Sequence, residues 1–393
     1  MSRRATYVAN RRETHDVLLL DAGGAPGGNS EYQQTRFETI LRGESAMGLH
    51  AHNLGEREIA LGAARIRELA GKTGVRFISA NARDSEGRLV ATESEIIQMA
   101  GLRVAVVGIV SPRYAAAGIK IDEPQPVILK WIDSNKGHYD TLVVLAYLPE
   151  AELTSLTQAL PEADMVVGGP TGQSIVPKKV GPVWMALLRA KGRFLVELLV
   201  EIAGVSDRSS VVEVVSSLNE DSTQLENISR YQNELIERDF NAAQSGFVTA
   251  LNSSLESGEV AGSESCTSCH ANDSVIWAGS KHAHAWETLQ TRNFHADSYC
   301  QQCHTTGFGL TGGFVSAKQS NDRVNVGCES CHGPSLAHVR EPKTKTPWLA
   351  KDRCVRCHDH ENSPKFVLAE YWSRIRHGTV AGHADLPARA GVP

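Results

Sequence analysis

The chain has 393 residues and a formal net charge of −5, with 22% charged and 41% hydrophobic residues. No excess of basic residues indicates nucleic-acid binding, and no long block of one charge indicates a disordered tail. The longest apolar runs, such as Val17–Leu20 and Phe194–Val200, are far shorter than the roughly 18–20 residues that span a bilayer, so no transmembrane segment is expected.

Residues 1–205 are predicted to form an α/β domain. Short β-branched runs alternate with segments of helical periodicity, such as Glu56–Ala70 and Glu150–Leu160. The expected strands are Val17–Asp21, Val75–Ala80, Val104–Val110, Thr141–Ala146, Met165–Gly168 and Phe194–Ile202. Continuous apolar strands that alternate with helices favour a layered α/β sandwich whose sheet is buried on both faces.

Residues 206–258 are predicted to be a helical linker, and residues 259–393 a second domain that is small, mainly α and rich in loops. Apolar side chains recur at helical spacing in the linker, at Leu225, Ile228, Leu235 and Ile236. The second domain is poor in continuous apolar runs and rich in Cys, His, Gly and Ser. Its own side chains would therefore form only a thin core.

All eight cysteines lie in this second domain, in four CxxCH motifs. In chain order, motif 1 is Cys266, Cys269 and His270, motif 2 is Cys300, Cys303 and His304, motif 3 is Cys328, Cys331 and His332, and motif 4 is Cys354, Cys357 and His358. CxxCH is the signature of haem c attachment. The two thiols lie one turn apart, so each can form a thioether with a haem vinyl group, and the histidine becomes the proximal iron ligand.

Three other uses of eight cysteines fit this pattern less well. Zinc ribbons do not require a histidine after each second cysteine, and a disulfide scaffold has no reason for uniform spacing. A thioredoxin-like site would need one CxxC at a strand–helix junction. The sequence therefore predicts four covalently bound haems c, whose apolar macrocycles would also fill the thin core.

Seven further histidines of this domain are candidates for the second axial position of the irons. They are His282, His284, His295, His338, His360, His377 and His383. Spacing alone does not pair any of them with a particular motif.

Five segments around the motifs carry a resemblance that extends over about residues 265–380. They are Lys281–Leu289, Cys300–Gly309, Gly312–Phe314, Val326–His338 and Glu370–Gly378. In motif order and flanking residues they resemble the tetrahaem cytochrome c-554 family, which has three bis-histidine haems and one five-coordinate haem. The resemblance implies His282, His338 and His377 as distal ligands, with His284 as an alternative to His282, and an open position at the haem on His304.

Six segments of the first domain follow one another as in the calcineurin-like metallophosphatase domain of 5′-nucleotidases. They are Val17–Gly24, Leu49–Gly62, Val75–Arg83, Gly101–Pro112, Asp140–Leu153 and Ala163–Ser174. The metal ligands that this resemblance implies are replaced by Gly24, Glu56, Arg57, Tyr147, Pro170 and Gly172. Without carboxylates and imidazoles at these positions neither metal has ligands, so phosphatase activity is not expected. His50 and His52 are expected to be surface or hydrogen-bonded loop residues.

The expected function is electron transfer to and from redox protein partners, with no nucleic-acid partner. One alternative is a haem oxidoreductase acting on a small nitrogen oxide at a five-coordinate haem. The other is a partner-docking module with the haems as an electron relay. Haem c is attached outside the cytoplasm, which implies a periplasmic or extracellular protein. The first residues contain no signal peptide. The metallophosphatase resemblance suggests that the first strand, and any leader before it, is missing, through either a start placed too far downstream or a real truncation.

Overall fold

The computed structural model describes residues 1–171, 175–188, 192–201, 204–206, 208–247, 258–319, 322–360 and 362–378. The chain divides into two compact units, Met1–Tyr231 and Gln232–Pro393, which we call the N-terminal and C-terminal units. The predicted domain boundaries at residues 205 and 258 stay predictions.

The N-terminal unit alternates strands and helices. Its strands are β1 (Leu20–Asp21), β2 (Ala51–Asn53), β3 (Phe77–Ile78), β4 (Ala82–Asp84), β5 (Ser94–Met99), β6 (Leu102–Val110), β7 (Ile119–Ile121), β8 (Thr141–Tyr147), β9 (Met165–Gly169), β10 (Ile175–Val180), β11 (Val183–Leu187), β12 (Phe194–Glu197), β13 (Val200–Glu201), β14 (Gly204–Val205) and β15 (Ser210–Glu213). Its helices are α1 (Ser2–Arg12), α2 (Glu31–Ala46), α3 (Glu56–Leu61), α4 (Ala63–Thr73), α5 (Pro124–Ser134) and α6 (Glu150–Gln158), and α7 (Ser222–Arg238) crosses into the second unit.

Two sheets make up the centre of this unit. The six-stranded sheet has the order β10-β11-β9-β8-β6-β5, in which β11, β9, β8 and β6 run parallel. The smaller sheet, β1-β2-β3, is also parallel. The β-branched residues of β6 and β8 suit central strands that are covered on both faces.

The apolar clusters show how the sheets and helices are layered. One face of the six-stranded sheet packs against α5 and α6, where Trp131 and Leu153 are buried. The opposite face packs against the smaller sheet through residues such as Val143 and Ile78. The far face of the smaller sheet is covered by α2 and α4, with Phe37 buried there. The predicted layered α/β sandwich is confirmed, with two sheets facing each other inside it.

Two differences from the expected strands have clear causes. The expected strand Phe194–Ile202 is divided into β12 and β13, and Ile202 itself lies outside the described residues. β5 and β11 were not predicted, because β5 carries polar and apolar residues without strict alternation and β11 has only one β-branched residue.

The C-terminal unit consists of short helices joined by loops, which confirms the predicted class. The helices are Glu264–Thr267, Ala271–Ala278, Ala285–Thr291, Ser298–His304, Cys328–His332, Leu336–Arg340, Ala350–Arg353 and Leu368–Trp372, with 3₁₀ turns at Ala242–Ser245, Lys281–His284 and Cys354–Arg356. An apolar cluster of this unit contains Trp286, Leu289, Phe308 and Phe314.

Candidate functional site

The four CxxCH motifs lie on short helical turns of the C-terminal unit. Motif 2 falls within the helix Ser298–His304, and motif 3 is itself the helix Cys328–His332. In motif 1 the backbone N–H of His270 donates to the carbonyl of Cys266 at 2.9 Å, and motif 4 repeats this bond. A single turn therefore carries the two cysteines and the histidine of each motif.

Thiols of different motifs meet in two places. Cys266 of motif 1 is hydrogen-bonded to Cys328 of motif 3, which raises the pKa of the Cys266 thiol and lowers the pKa of Cys328 to about 6. Cys303 of motif 2 and Cys357 of motif 4 form a similar pair, in which the hydrogen bond raises the pKa of Cys303 and lowers that of Cys357. Motif 1 thus lies against motif 3, and motif 2 against motif 4.

Motif 3 also lies near motif 4. Burial raises the pKa of the Cys331 thiol to about 11, and the nearby thiols of Cys354 and Cys357 contribute to this shift. The motifs are therefore neighbours in the order 1, 3, 4, 2.

Three pairs of histidine rings lie close together, and each pair contains one motif histidine. The ring centres are 6.2 Å apart for His270 and His338, 6.1 Å for His358 and His282, and 5.8 Å for His332 and His377. Two imidazoles on opposite sides of one iron would have centres about 6 Å apart, because each nitrogen lies about 2 Å from the metal and about 1 Å from its ring centre. All three pairs have this separation.

The Nδ1 atoms of three of these rings, and of His304, already have hydrogen-bond partners. Nδ1 of His338 lies 2.7 Å from the Thr344 carbonyl, and the corresponding 2.8 Å contacts are His377 with the Ile375 carbonyl, His304 with the Ala285 carbonyl, and His358 with the Ser363 hydroxyl. A ring that donates through Nδ1 keeps the lone pair of Nε2 available for a metal.

Burial also favours the ligating form of three rings. It lowers the pKa of His332, His282 and His358, with neighbouring imidazoles adding to the shift for the first two. Because the neutral imidazole is the form that binds a metal, these rings need no deprotonation near pH 7.

His304 differs from the other motif histidines. Within the part of the chain that the structure describes, no second imidazole lies at a similar distance from its ring. His295 packs against Trp286 at 6.0 Å, His284 lies beside Glu287 with 3.9 Å between Nδ1 and a carboxylate oxygen, and His360 is exposed. His383 lies outside the described residues.

The surroundings of the motifs fit large apolar groups. Val275, Leu349 and Val355 are 73%, 68% and 63% exposed, although each is within about ten residues of a motif. Apolar side chains at this exposure gain free energy when a hydrophobic surface covers them. Four haem macrocycles attached at the motifs would supply such a surface, so the residues present fit haem c.

In the N-terminal unit, two of the positions expected to hold metal ligands, Gly24 and Tyr147, pack against each other. The backbone of Gly24 has φ +89°, and a Cβ atom there would lie 2.6 Å from Cε2 of Tyr147. Tyr147 is buried, and its ring packs against Tyr114 at 5.3 Å. Arg57 donates to the carbonyls of Pro26 and Gly27. Tyr147 therefore occupies the space that a side chain at residue 24 would need, while Gly172 lies outside the described residues.

His52 is not the surface or loop residue that the sequence suggested. It lies in β2 and is fully buried, with Nδ1 3.0 Å from Glu44 Oε2 and Nε2 3.0 Å from Glu58 Oε1. Glu58 also accepts backbone N–H groups of Gly24, Ala25 and Gly55. We call Glu44, His52 and Glu58 the buried triad.

Charge within the buried triad is shared among coupled groups. Burial opposes the charged form of His52, but Asp21, Glu44 and the hydrogen bonds to both glutamates raise the pKa of His52 well above its usual value. Burial and the charge of Asp21 raise the pKa of Glu44 to about 7. His50, in contrast, is half-buried and accepts the N–H of Leu19 at 3.1 Å.

Comparison with known proteins identifies the C-terminal segment. Residues 265–333 match the family model described as cytochrome c554 and c-prime. This part of the chain is similar to cytochrome c554. Cytochrome c-554 of Nitrosomonas europaea is 31% identical over a match that covers 26% of this chain and 59% of that protein. The chain thus spans less than two thirds of this curated relative, and the family segment contains motifs 1 to 3 and ends before motif 4.

Solved structures similar to this chain show the fold of the N-terminal part. They include Thermus thermophilus sulfate thiohydrolase SoxB in complex with glycerol, with a TM-score of 0.52, 20% identity and coverage of 61% of this chain and 47% of that one. A 5′-nucleotidase precursor of the same organism has a TM-score of 0.51, 18% identity and coverage of 60% and 53%. The calcineurin-like phosphoesterase YfkN of Bacillus subtilis has a TM-score of 0.50, 14% identity and coverage of 60% and 89%. The metallophosphatase-like fold is confirmed.

Among the residues that the structure describes, no helix combines the length and apolar character needed to cross a membrane.

Proposed function

We propose that the chain is an electron-transfer protein with four covalently bound haems c, one at each CxxCH motif. The observation that carries this proposal is the combination of four motifs with three histidine pairs whose ring centres are 5.8–6.2 Å apart. Each haem would supply a one-electron iron couple. The cysteines would hold the macrocycles covalently, and the histidines would fix their orientation and tune the potentials of the irons.

The same distances support an axial ligand set for three haems. Motif 1 would use His270 with the distal His338, motif 3 would use His332 with His377, and motif 4 would use His358 with His282. His282 is favoured over His284 because its ring lies 6.1 Å from His358.

Contacts between thiols support an order for the electron relay. Because each thiol would be bonded to a haem edge, motifs whose thiols touch would carry haems whose edges are adjacent. The contacts of Cys266 with Cys328 and of Cys303 with Cys357, together with the proximity of Cys331 to motif 4, favour the order 1, 3, 4, 2.

A second candidate function rests on His304. A haem with this single axial imidazole would offer an open iron position to a small ligand such as a nitrogen oxide. The chain would then be an oxidoreductase in which the haems of motifs 1, 3 and 4 deliver electrons to the haem of motif 2. The two proposed functions, electron transfer and oxidoreductase activity, thus differ in whether an exogenous ligand reaches the iron at motif 2.

The N-terminal unit is proposed to have no phosphatase activity and to serve structure or partner docking. The ring of Tyr147 above Gly24 and the buried hydrogen bonds of Glu58 support this view. Covalent haem attachment favours a periplasmic or extracellular location, where the partners would be other redox proteins.

Electron paramagnetic resonance (EPR) of the oxidised holoprotein, with and without nitric oxide, separates the two functions. Three low-spin signals and one high-spin signal that nitric oxide alters would support an open haem at motif 2. Four low-spin signals that nitric oxide leaves unchanged would remove the oxidoreductase proposal and leave the relay. A coulometric titration that takes up fewer than four electrons per chain would contradict both.

A further inference from the structure

Glu329 is a buried carboxylate inside motif 3, between Cys328 and Cys331. Only 2% of the residue is exposed. Motifs 1, 2 and 4 have Thr, Gln and Val at the corresponding position, so haem attachment does not itself require an acid there. The buried carboxylate of Glu329 must therefore have another role, since burying a carboxylate without hydrogen-bond donors is costly.

Three backbone N–H groups supply these donors. Ala261 donates to Oε1 at 2.9 Å, Gly262 donates to Oε2 at 2.7 Å, and Ser335 donates to Oε1 at 2.7 Å. All three bonds are short, as expected for N–H groups that donate to a charged acceptor. In a glutamine variant, the side-chain NH₂ group would face one of these backbone N–H groups, which would then lack an acceptor.

The donors belong to the two segments that carry the first histidine pair. Ala261 and Gly262 lead into the helix Glu264–Thr267, which begins motif 1 and is followed by His270. Ser335 directly precedes the helix Leu336–Arg340, which carries His338. One carboxylate in motif 3 thus holds the chain on both sides of the pair whose ring centres are 6.2 Å apart.

Other hydrogen bonds connect the same segments. The N–H of Leu336 donates to the carbonyl of Glu259 at 3.0 Å, and the N–H of Cys328 donates to Oγ of Ser263 at 3.2 Å. Glu329 adds the buried charge at the centre of these contacts, so its loss would loosen both segments together.

We propose that Glu329 is a positioning residue that sets the geometry of His270 and His338 around the haem of motif 1. Its negative charge would also favour the oxidised state of a haem held at motif 3, because Glu329 lies between the two cysteines of that motif. This inference rests on the proposed haem sites and extends them, because it makes the attachment segment of one haem the support for the axial ligands of another.

The test uses the full-length holoprotein and three variants. Glu329→Gln removes the charge and one acceptor, Glu329→Asp keeps the charge but withdraws it from the donors, and Glu264→Gln is a control that removes an exposed charge beside motif 1. Amide hydrogen exchange of peptides that cover residues 259–265 and 333–340 reports on the hydrogen bonds that these two segments make with Glu329. EPR and a spectroelectrochemical titration report on the haems.

In Glu329→Gln, we expect both peptides to exchange faster together, one low-spin EPR signal to change, and one reduction potential to shift upward. Glu329→Asp should show the exchange and EPR changes without the upward shift, and it decides the proposal if the glutamine variant does not mature. Wild-type exchange and spectra in both variants, or equal effects in Glu264→Gln, would overturn the proposal. If the intact mass of the wild-type protein shows no bound haem, the proposed function fails. Hydrogen exchange would then still test whether Glu329 holds the two segments.

Discussion

Replacing His52 with leucine should destabilise the N-terminal unit strongly, because the imidazole is the shared partner of two buried carboxylates. His52, Glu44 and Glu58 are 0%, 2% and 0% exposed, so solvent does not screen the triad. Removing one partner of a buried ion pair costs about 3–5 kcal/mol. Domains have free energies of unfolding of about 5–15 kcal/mol, so this single change would remove a large part of the stability.

The double variant Glu44→Leu/His52→Leu provides the matched comparison. Phe37 and Phe77 already pack around the imidazole, with ring centres 6.0 and 5.1 Å away, so an apolar side chain at residue 52 would meet apolar neighbours. Glu58 keeps its three backbone donors. The double variant should therefore be more stable than His52→Leu alone, by on the order of 2 kcal/mol.

Urea unfolding followed by far-UV circular dichroism measures these differences on the full-length holoprotein. The Soret band, recorded in the same samples, follows the haem environment and distinguishes unfolding of the N-terminal unit from unfolding of the C-terminal unit. A loss below about 1 kcal/mol for His52→Leu would refute the assumption that this ring pairs two buried charges. A double variant that is less stable than the single variant would refute it as well.

Three further predictions concern pH, ligation and backbone space. Burial and the charge of Asp21 raise the pKa of Glu44 from 4.5 to about 7, so the stability linked to its protonated form is present at low pH and is lost as pH rises toward about 7. The raised pKa of His52 has the same sign, and its contribution is lost at higher pH. Glu44→Gln should flatten the profile of unfolding stability in urea titrations between about pH 5 and 7, and an unchanged profile would contradict this prediction. His377→Ala should convert one low-spin EPR signal to high spin, whereas His284→Ala should leave the spectrum unchanged; the reverse would contradict the proposed pairing. Gly24→Asp should lower the free energy of unfolding by about 1–3 kcal/mol, because a Cβ atom at residue 24 would lie 2.6 Å from Tyr147. An unchanged free energy of unfolding would contradict the close packing of these two residues.

The four CxxCH motifs could be recognised from the sequence because their pattern is local. Two thiols and an imidazole within five residues lie on one helical turn, whatever the rest of the fold does. The partners of the histidines were beyond such reasoning, since His282 and His358 are 76 positions apart in the sequence. Only the resemblance to cytochrome c-554 suggested His282, His338 and His377 as distal ligands, and it gave no ring-to-ring distances.

The central strands were similarly accessible. β6 and β8 are runs of β-branched and aliphatic residues, and such runs in a sheet covered on both faces need no alternation. β11 has only one β-branched residue and so gives a weak strand signal, and its burial depends on pairing with β9 and β10. β1 and β3 lie within the expected strands Val17–Asp21 and Val75–Ala80, but their separate sheet was not foreseen, because β2, which pairs with both, has only three residues.

The buried carboxylates were the main features that sequence reasoning missed. Glu44 and Glu58 look like ordinary surface residues of helices, and Glu329 looks like a variable residue of its motif. A weak signal existed for Glu58, because a glutamate three residues after Gly55 fits an N-terminal capping pattern. Nothing in the sequence indicated that His52 would lie between Glu44 and Glu58, because that contact depends on the packing of α2 and α3 against β2.

Intact mass together with a pyridine haemochrome spectrum tests the central claim most directly. The protein would be produced with an export leader in a host that matures c-type cytochromes. We expect a mass increase of about 2.5 kDa and a c-type spectrum, which correspond to four covalently bound haems. An unchanged mass, with zinc bound in place of haem, would contradict the account and make the eight cysteines structural ligands.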